Sequence, residues 1–133
     1  MPVEINIDRN KNLSVISLRG HVEFKERLSA FESFYRNPTK HLIYDKSVSD
    51  GHTISGDEIH RFIELVNLNK DKRKNGKTAI VSSAKADYGI SRMFELIAEA
   101  HDIPWDIQCF MSIEEASTWI QEESTPGKSS QQD

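Results

Sequence analysis

A chain of 133 residues with 17 basic and 21 acidic side chains, a formal charge of -4, 37% hydrophobic and 29% charged residues is sized for one domain with one buried core. No apolar run approaches the ~20 residues of a membrane span, the single cysteine, Cys109, excludes an internal disulfide, and the slight acidity exerts no global pull on nucleic acid. The opening Met1-Pro2-Val3-Glu4-Ile5 has no basic segment followed by an apolar one, so no secretory signal and a cytoplasmic location are expected.

Residues 3 to 8 alternate with Val3, Ile5 and Ile7 on one face, Asp8 to Asn12 is rich in turn formers, and Leu13 to Arg19 alternates again, which predicts a β-hairpin. From Val22 to Arg36, Phe24, Leu28, Phe31 and Tyr35 form the stripe of an amphipathic helix, stopped by Asn37-Pro38. A third strand is predicted at His41 to Asp45 and a polar loop at Lys46 to Ile54. Ser55 and Glu58 make an S-x-x-E capping box for a helix burying Ile59, Phe62, Ile63 and Val66. That helix ends in the basic stretch Lys70 to Lys74 and Asn75-Gly76, where cations suit the negative helix end and glycine suits the left-handed cap.

Thr78 to Val81 reads as a β-branched strand. Asp87 is the expected cap of a helix with Ile90, Met93, Phe94 and Ile97 on one side, closed by His101-Asp102-Ile103-Pro104. Trp105 to Met111 is the fifth strand, and Ser112 with Glu115 makes a second capping box for a helix holding Ala116, Trp119 and Ile120. The expected division is a domain over 1–122 and a polar, disordered tail over 123–133. The order ββαβαβαβα demands crossovers of one hand, so the expected fold is a single α/β domain with a mixed, mainly parallel five-stranded sheet.

That order and three local patterns resemble the STAS superfamily, and within it the branch like stage II sporulation protein AA (SpoIIAA-like), which is compared with Sec-type lipid carriers. Asp87-Tyr88-Gly89-Ile90-Ser91-Arg92-Met93-Phe94-Glu95 is similar to that branch's aromatic-Gly-x-x-Arg-Met-aromatic helix start. The closing Ser112-Ile113-Glu114-Glu115-Ala116-Ser117-Thr118-Trp119 is similar to its Glu-Ala-x-x-Trp helix. Asp45-Lys46-Ser47 and Ser55-Gly56 match two pieces of the STAS antagonists, in which the serine before the glycine is phosphorylated by a partner kinase. Here nine residues separate Asp45 from Ser55, and no Asp-Ser pair directly precedes Gly56.

Ligands of open α/β sheets collect outside the carboxyl ends of the strands, which points to Gly20 and His21, Asp45 to Ser55, and Ser82 to Tyr88 as a candidate rim. Ser82, Ser83 and Lys85 precede a helix start that could hold an anion, while Asp45, Ser47 and Asp87 supply acceptors; turn and cap chemistry explains the same residues. Ser55 has two readings, a plain N-cap and a phosphoacceptor, with Ser47 a second phosphorylation candidate. Phe24, Phe31, Phe34, Tyr35, Tyr88, Met93 and Phe94 can pack the core or line an apolar pocket, as the lipid-carrier comparison implies. Arg92 can anchor a ligand acid or form an ion pair with Glu95 or Glu99.

The five histidines show no H-x-x-x-H spacing, so no metal is expected. Gly89-Ile90-Ser91 lacks the second glycine of a nucleophile elbow, and Gly76-Lys77-Thr78 enters a strand where a phosphate loop would leave one. Lys70, Lys72, Arg73, Lys74 and Lys77 form the one basic cluster, suited to an acidic partner, a lipid surface or a solvated helix end. The expectation is a non-catalytic, cofactor-free bacterial module that binds a small or apolar ligand, or a regulatory protein partner, at the rim beside the first and third helices, with a homodimer compatible. The alternatives are an antagonist-like switch worked by serine phosphorylation and an enzyme pairing Asp45 with His21 or His52 as acid and base.

Overall fold

The alternating segments Val3–Asp8 (β1) and Leu13–Gly20 (β2) pair antiparallel, with Val3 opposite Leu18 and Asp8 opposite Leu13, in a computed structural model of the chain. The structure describes residues 3–49, 55–73, 75–83, 85–100, 103 and 105–122, with the backbone alone at 85–88, 90, 97 and 98. His52, the His101-Asp102 and Pro104 stop and the tail over 123–133 therefore lie outside the described residues.

Helix Phe24–Arg36 (α1) leads to strand His41–Ser49 (β3), helix Gly56–Leu68 (α2) to Lys77–Val81 (β4), and helix Lys85–Ala100 (α3) to Asp106–Phe110 (β5), before helix Ile113–Gln121 (α4). The five strands lie in the order β1-β2-β3-β4-β5, antiparallel at the first pair and parallel thereafter. Because each new strand is added on the same side of the last, crossovers of one hand set α1, α2 and α3 on one face of the sheet. Ile16, Leu18, Leu42, Tyr44 and Ile80 face those helices, and Ile43, Ala79 and Val81 face α4 with its Ala116 and Ile120.

Several boundaries differ from those read in the sequence. Helix α1 begins at Phe24, two residues later than expected, since Val22 is buried ahead of it and the Glu26 carboxylate accepts the Glu23 N–H at 3.0 Å. Strand β3 runs on to Ser49, through residues taken for loop, because Val48 and Ser49 find Arg19 and Gly20 as partners. A bulge between the pairs Ser17–Asp45 and Arg19–Val48 absorbs the extra residue. Helix α3 starts at Lys85, which puts Asp87 inside its first turn and not at the cap. Ile7 and Met93, expected on buried faces, are exposed. By contrast, Ser55 and Glu58 close the predicted capping box on α2, with Ser55 Oγ accepting the Glu58 N–H at 3.1 Å and Glu58 Oε1 the Ser55 N–H at 3.0 Å.

The basic cluster divides: Lys70 and Lys72 are exposed, Arg73 and Lys77 are buried, and Lys74 lies outside the described residues. A 3₁₀ turn, Lys70–Lys72, follows α2, and Arg73 then turns inward until 2% of it is exposed. Its guanidinium donates to the Thr39, Lys40 and Lys77 carbonyls and to Thr78 Oγ1, between the Phe34 ring at 5.2 Å and the Trp105 ring at 4.6 Å. Burial draws this side chain down to about 10, against the opposing pull of Tyr35. Lys77 is buried too, and its ammonium donates to the Trp119 and Glu122 carbonyls at 2.7 and 2.9 Å. It caps α4 from a distant strand, a cation on the negative helix end. The left-handed residue of this turn is Asn75, at φ 67, and glycine is needed at 76 for another reason: a Cβ there would strike the Lys40 carbonyl.

His41 lies against the same group of cations. Its Nδ1 accepts the Lys77 N–H at 3.1 Å, and burial, followed by Lys40, Arg73 and Lys77, pushes the imidazole down to about 4. Unfolded, the ring takes up a proton near pH 6.5, which the native state refuses until about pH 4, so stability falls as pH drops through that window. With solvent screening discounted for a half-exposed ring, the loss is about 1–2 kcal/mol. Urea titrations between pH 7 and 4 should show it, and His41→Asn, which keeps an acceptor for the Lys77 amide, should flatten the profile. Parallel profiles for the two proteins would remove His41 from the acid response.

Candidate ligand-binding site

An apolar cavity of about 60 Å³ lies between the helix-covered face of the sheet and α1, α2 and α3. Its floor is Leu42, Tyr44 and Lys46 of β3, Thr78 and Ile80 of β4, and Ile107 of β5; its roof includes Phe31 and Tyr35 of α1, Ile59, Phe62 and Val66 of α2, and Phe94 of α3. The period-2 alternation of β3 sends Leu42, Tyr44 and Lys46 to this side, and the helical stripe 24-28-31-35 of α1 brings Phe31 and Tyr35 down onto it. The wall is an edge-to-face aromatic network: Phe31 meets Tyr44 at 4.8 Å and Phe62 at 5.3 Å, and Phe62 meets Phe94 at 6.4 Å.

Two cations stand in this apolar wall. Arg27 of α1 is 6% exposed and Lys46 of β3 is 7% exposed, and no acidic residue is among the described residues lining the cavity. Arg27 Nε donates to the Val22 carbonyl at 3.3 Å, which ties the guanidinium to the segment leading into α1. Cys109, on the same face of β5, is pushed up to about 12 by burial and by its hydrogen bond with Glu95, so the thiol stays protonated at neutral pH.

The sequence candidates fall elsewhere. Asp45, Ser47 and Ser83 do meet at the carboxyl edge: Asp45 Oδ1 accepts from Ser47 N and Oγ at 3.0 and 2.6 Å, and Ser83 Oγ donates to the Ser47 carbonyl at 2.8 Å. Ser82 turns inward and shares a 3.0 Å hydrogen bond with Ser91, whose side chain reaches the cavity. Ser55 is the α2 cap, and Phe24 packs edge-on against Phe62 at 5.2 Å. Arg92 pairs with Glu95 at 2.7 Å, the same carboxylate that reaches Cys109, while Met93 beside it is 48% exposed. The Tyr88 side chain lies outside the described residues. His21 faces Glu23 at 3.9 Å. None of Asp45, Ser47, Ser55, Ser82, Arg92, Met93 and Phe24 lines the cavity.

The physical reason is the strand order. A rim site in an open sheet needs a reversal of strand order, where neighbouring crossovers part to leave a crevice, and this sheet never reverses. Its concavity lies instead between the sheet and the helices and is partly open. Arg27 and Lys46 were the residues to notice: Arg27 stands three residues after Phe24 and four before Phe31, on the apolar stripe, and Lys46 continues the inward alternation of Leu42 and Tyr44. A charge on a face that is otherwise buried is the local signal of a special site.

No protein-family model matches the sequence, and no curated protein matches it. Among solved structures, an uncharacterised protein of the DUF3478 family from Shewanella loihica PV-4, described as having a SpoIIAA-like fold, superposes with a TM-score of 0.57. The match covers 89% of this chain and 91% of that one at 14% identity. Together with the element order and the five-stranded mixed sheet, this defines the class: a single α/β domain with the SpoIIAA-like fold. Among the described residues no helix is long and apolar enough to cross a membrane.

Proposed function

We propose that this SpoIIAA-like module acts without catalysis, holding a small apolar ligand in the cavity between its sheet and its first three helices, in a regulatory or carrier role. The observation that carries the reading is the cavity itself, about 60 Å³ of space walled mainly by aromatic and aliphatic side chains. Leaving such space empty costs on the order of 1–2 kcal/mol, which a ligand of matching shape returns as binding energy. Apolar, largely preformed concavities with a few convergent polar groups are the usual form of small-ligand sites.

Native mass spectrometry of freshly purified protein is expected to show a bound species, or thermal-shift titration to show stabilisation by small apolar probes such as hexanamide, hexanoate, phenylacetamide and phenylacetate. Ile59→Phe, which pushes a ring into the cavity from α2, should abolish both signals. A bare mass together with no shift from any of the four probes would sink the reading.

A further inference from the structure

We propose that the occupant of this cavity is an anion, an apolar carboxylate whose head group is gripped by Arg27. The proposal rests on the binding reading above and names the chemical class that the site takes.

The argument begins with the two most buried arginines of the described chain. Arg73 and Arg27 are both more than nine-tenths buried. Arg73 is fully furnished, since Nε, Nη1 and Nη2 all reach carbonyl or hydroxyl oxygens within 3.2 Å. Arg27 is not. Its one hydrogen bond within the described residues runs from Nε to the Val22 carbonyl, and the two terminal nitrogens meet neither a carboxylate nor a carbonyl there. A guanidinium taken out of water needs its donors matched and its charge answered. Arg27 lines the apolar cavity, so a guanidinium with donors that no described group answers stands on the wall of the proposed ligand site.

The surroundings sharpen the choice of ligand. Lys46 sets a second buried cation on the same lining, and no described lining residue is acidic, the nearby Glu95 carboxylate being engaged with Cys109 and Arg92. Arginine presents two parallel N–H donors that match the two oxygens of a carboxylate. The Nε hydrogen bond to Val22 fixes the plane of the fork, which reduces the ordering cost of that match. The remaining wall is mostly aromatic and aliphatic, its Thr78 and Ser91 hydroxyls already engaged by Arg73 and Ser82, and suits a hydrocarbon or aryl body. The small volume favours a monocarboxylate over a bulkier, more strongly hydrated phosphate ester.

Isothermal titration of two matched pairs tests the proposal on the intact chain: phenylacetate against phenylacetamide, and hexanoate against hexanamide. Each acid should bind at least about tenfold more tightly than its amide at pH 7, the gain typical of a hydrogen bond to a charged group. Arg27→Gln should remove that preference, and Arg27→Lys should restore part of it. Acid and amide binding equally, or a preference that survives in Arg27→Gln, would overturn the carboxylate proposal and leave the cavity reading standing. Failure of all four probes would overturn both. Should Arg27→Gln fail to fold by circular dichroism, the wild-type pairs still decide, with the Arg27 Nε–H resonance expected to move with the acids and not with the amides.

Discussion

Arg73→Ala is expected to lower the unfolding free energy by about 3–5 kcal/mol, enough to bring a domain of ordinary stability close to unfolding at room temperature. The residue touches three backbone carbonyls, at Thr39, Lys40 and Lys77, and one hydroxyl, at Thr78, each 33 or more residues away in sequence or across the turn into β4. Removing it strips donors from buried acceptors, whose desolvation cost then stands uncompensated, and opens a void between the Phe34 and Trp105 rings. Arg73→Met, which refills much of the volume without supplying donors, should recover only the packing share. Arg73→Lys keeps the charge but cannot span the same acceptors, so it should remain well below the wild type. Urea unfolding with unchanged m-values is the measurement; a loss under 1 kcal/mol for the alanine variant would show that the hub is dispensable.

Gly76→Ala is expected to cost about 2–3 kcal/mol although it adds one methyl group. The new Cβ would collide with the Lys40 carbonyl and press on the Arg73 carbonyl, both of them backbone atoms that cannot swing away. Gly76 is also tied on both sides, its N–H donating to the Arg73 carbonyl and its own carbonyl accepting from Asp106, so any retreat breaks the turn that feeds β4 and the start of β5. Because the displaced Lys40 carbonyl is the one that Arg73 grips with two nitrogens, Gly76→Ala and Arg73→Met should destabilise less together than the sum of their separate effects. Simple additivity in that double-mutant cycle, or a negligible effect of Gly76→Ala alone, would contradict the close approach.

Arg73 and Lys77 mark where sequence reading stops. Both stand in a run of cations that reads as a solvated helix end, because the groups that bury them are remote: carbonyls 33 and 34 residues earlier for Arg73, and 42 and 45 residues later for Lys77. Nothing in a local window separates an arginine bound for water from one bound for a ring of carbonyls. The α2 start was legible to the residue because a capping box is closed by side chains three positions apart. The far end of β3 was not, since Val48 and Ser49 are strand only by virtue of Arg19 and Gly20 beside them.

The candidate site divides in the same way. Phe31, Tyr35, Phe62 and Phe94 were visible as apolar stripes, whereas Arg27 was not singled out and Lys46 fell in the expected loop, and no spacing rule says that these six come together. The sequence by itself determined the alternation of strands and helices, which side of each element faces inward, and the capped start of α2, all properties set by neighbours within a turn or a strand pair. Only the tertiary structure decided that the strands follow one another without reversal, which stacks three helices on one face and moves the concavity from the sheet edge to the space beneath them. Strand order depends on which distant segments pair, a choice governed by the whole chain and by no short piece of it.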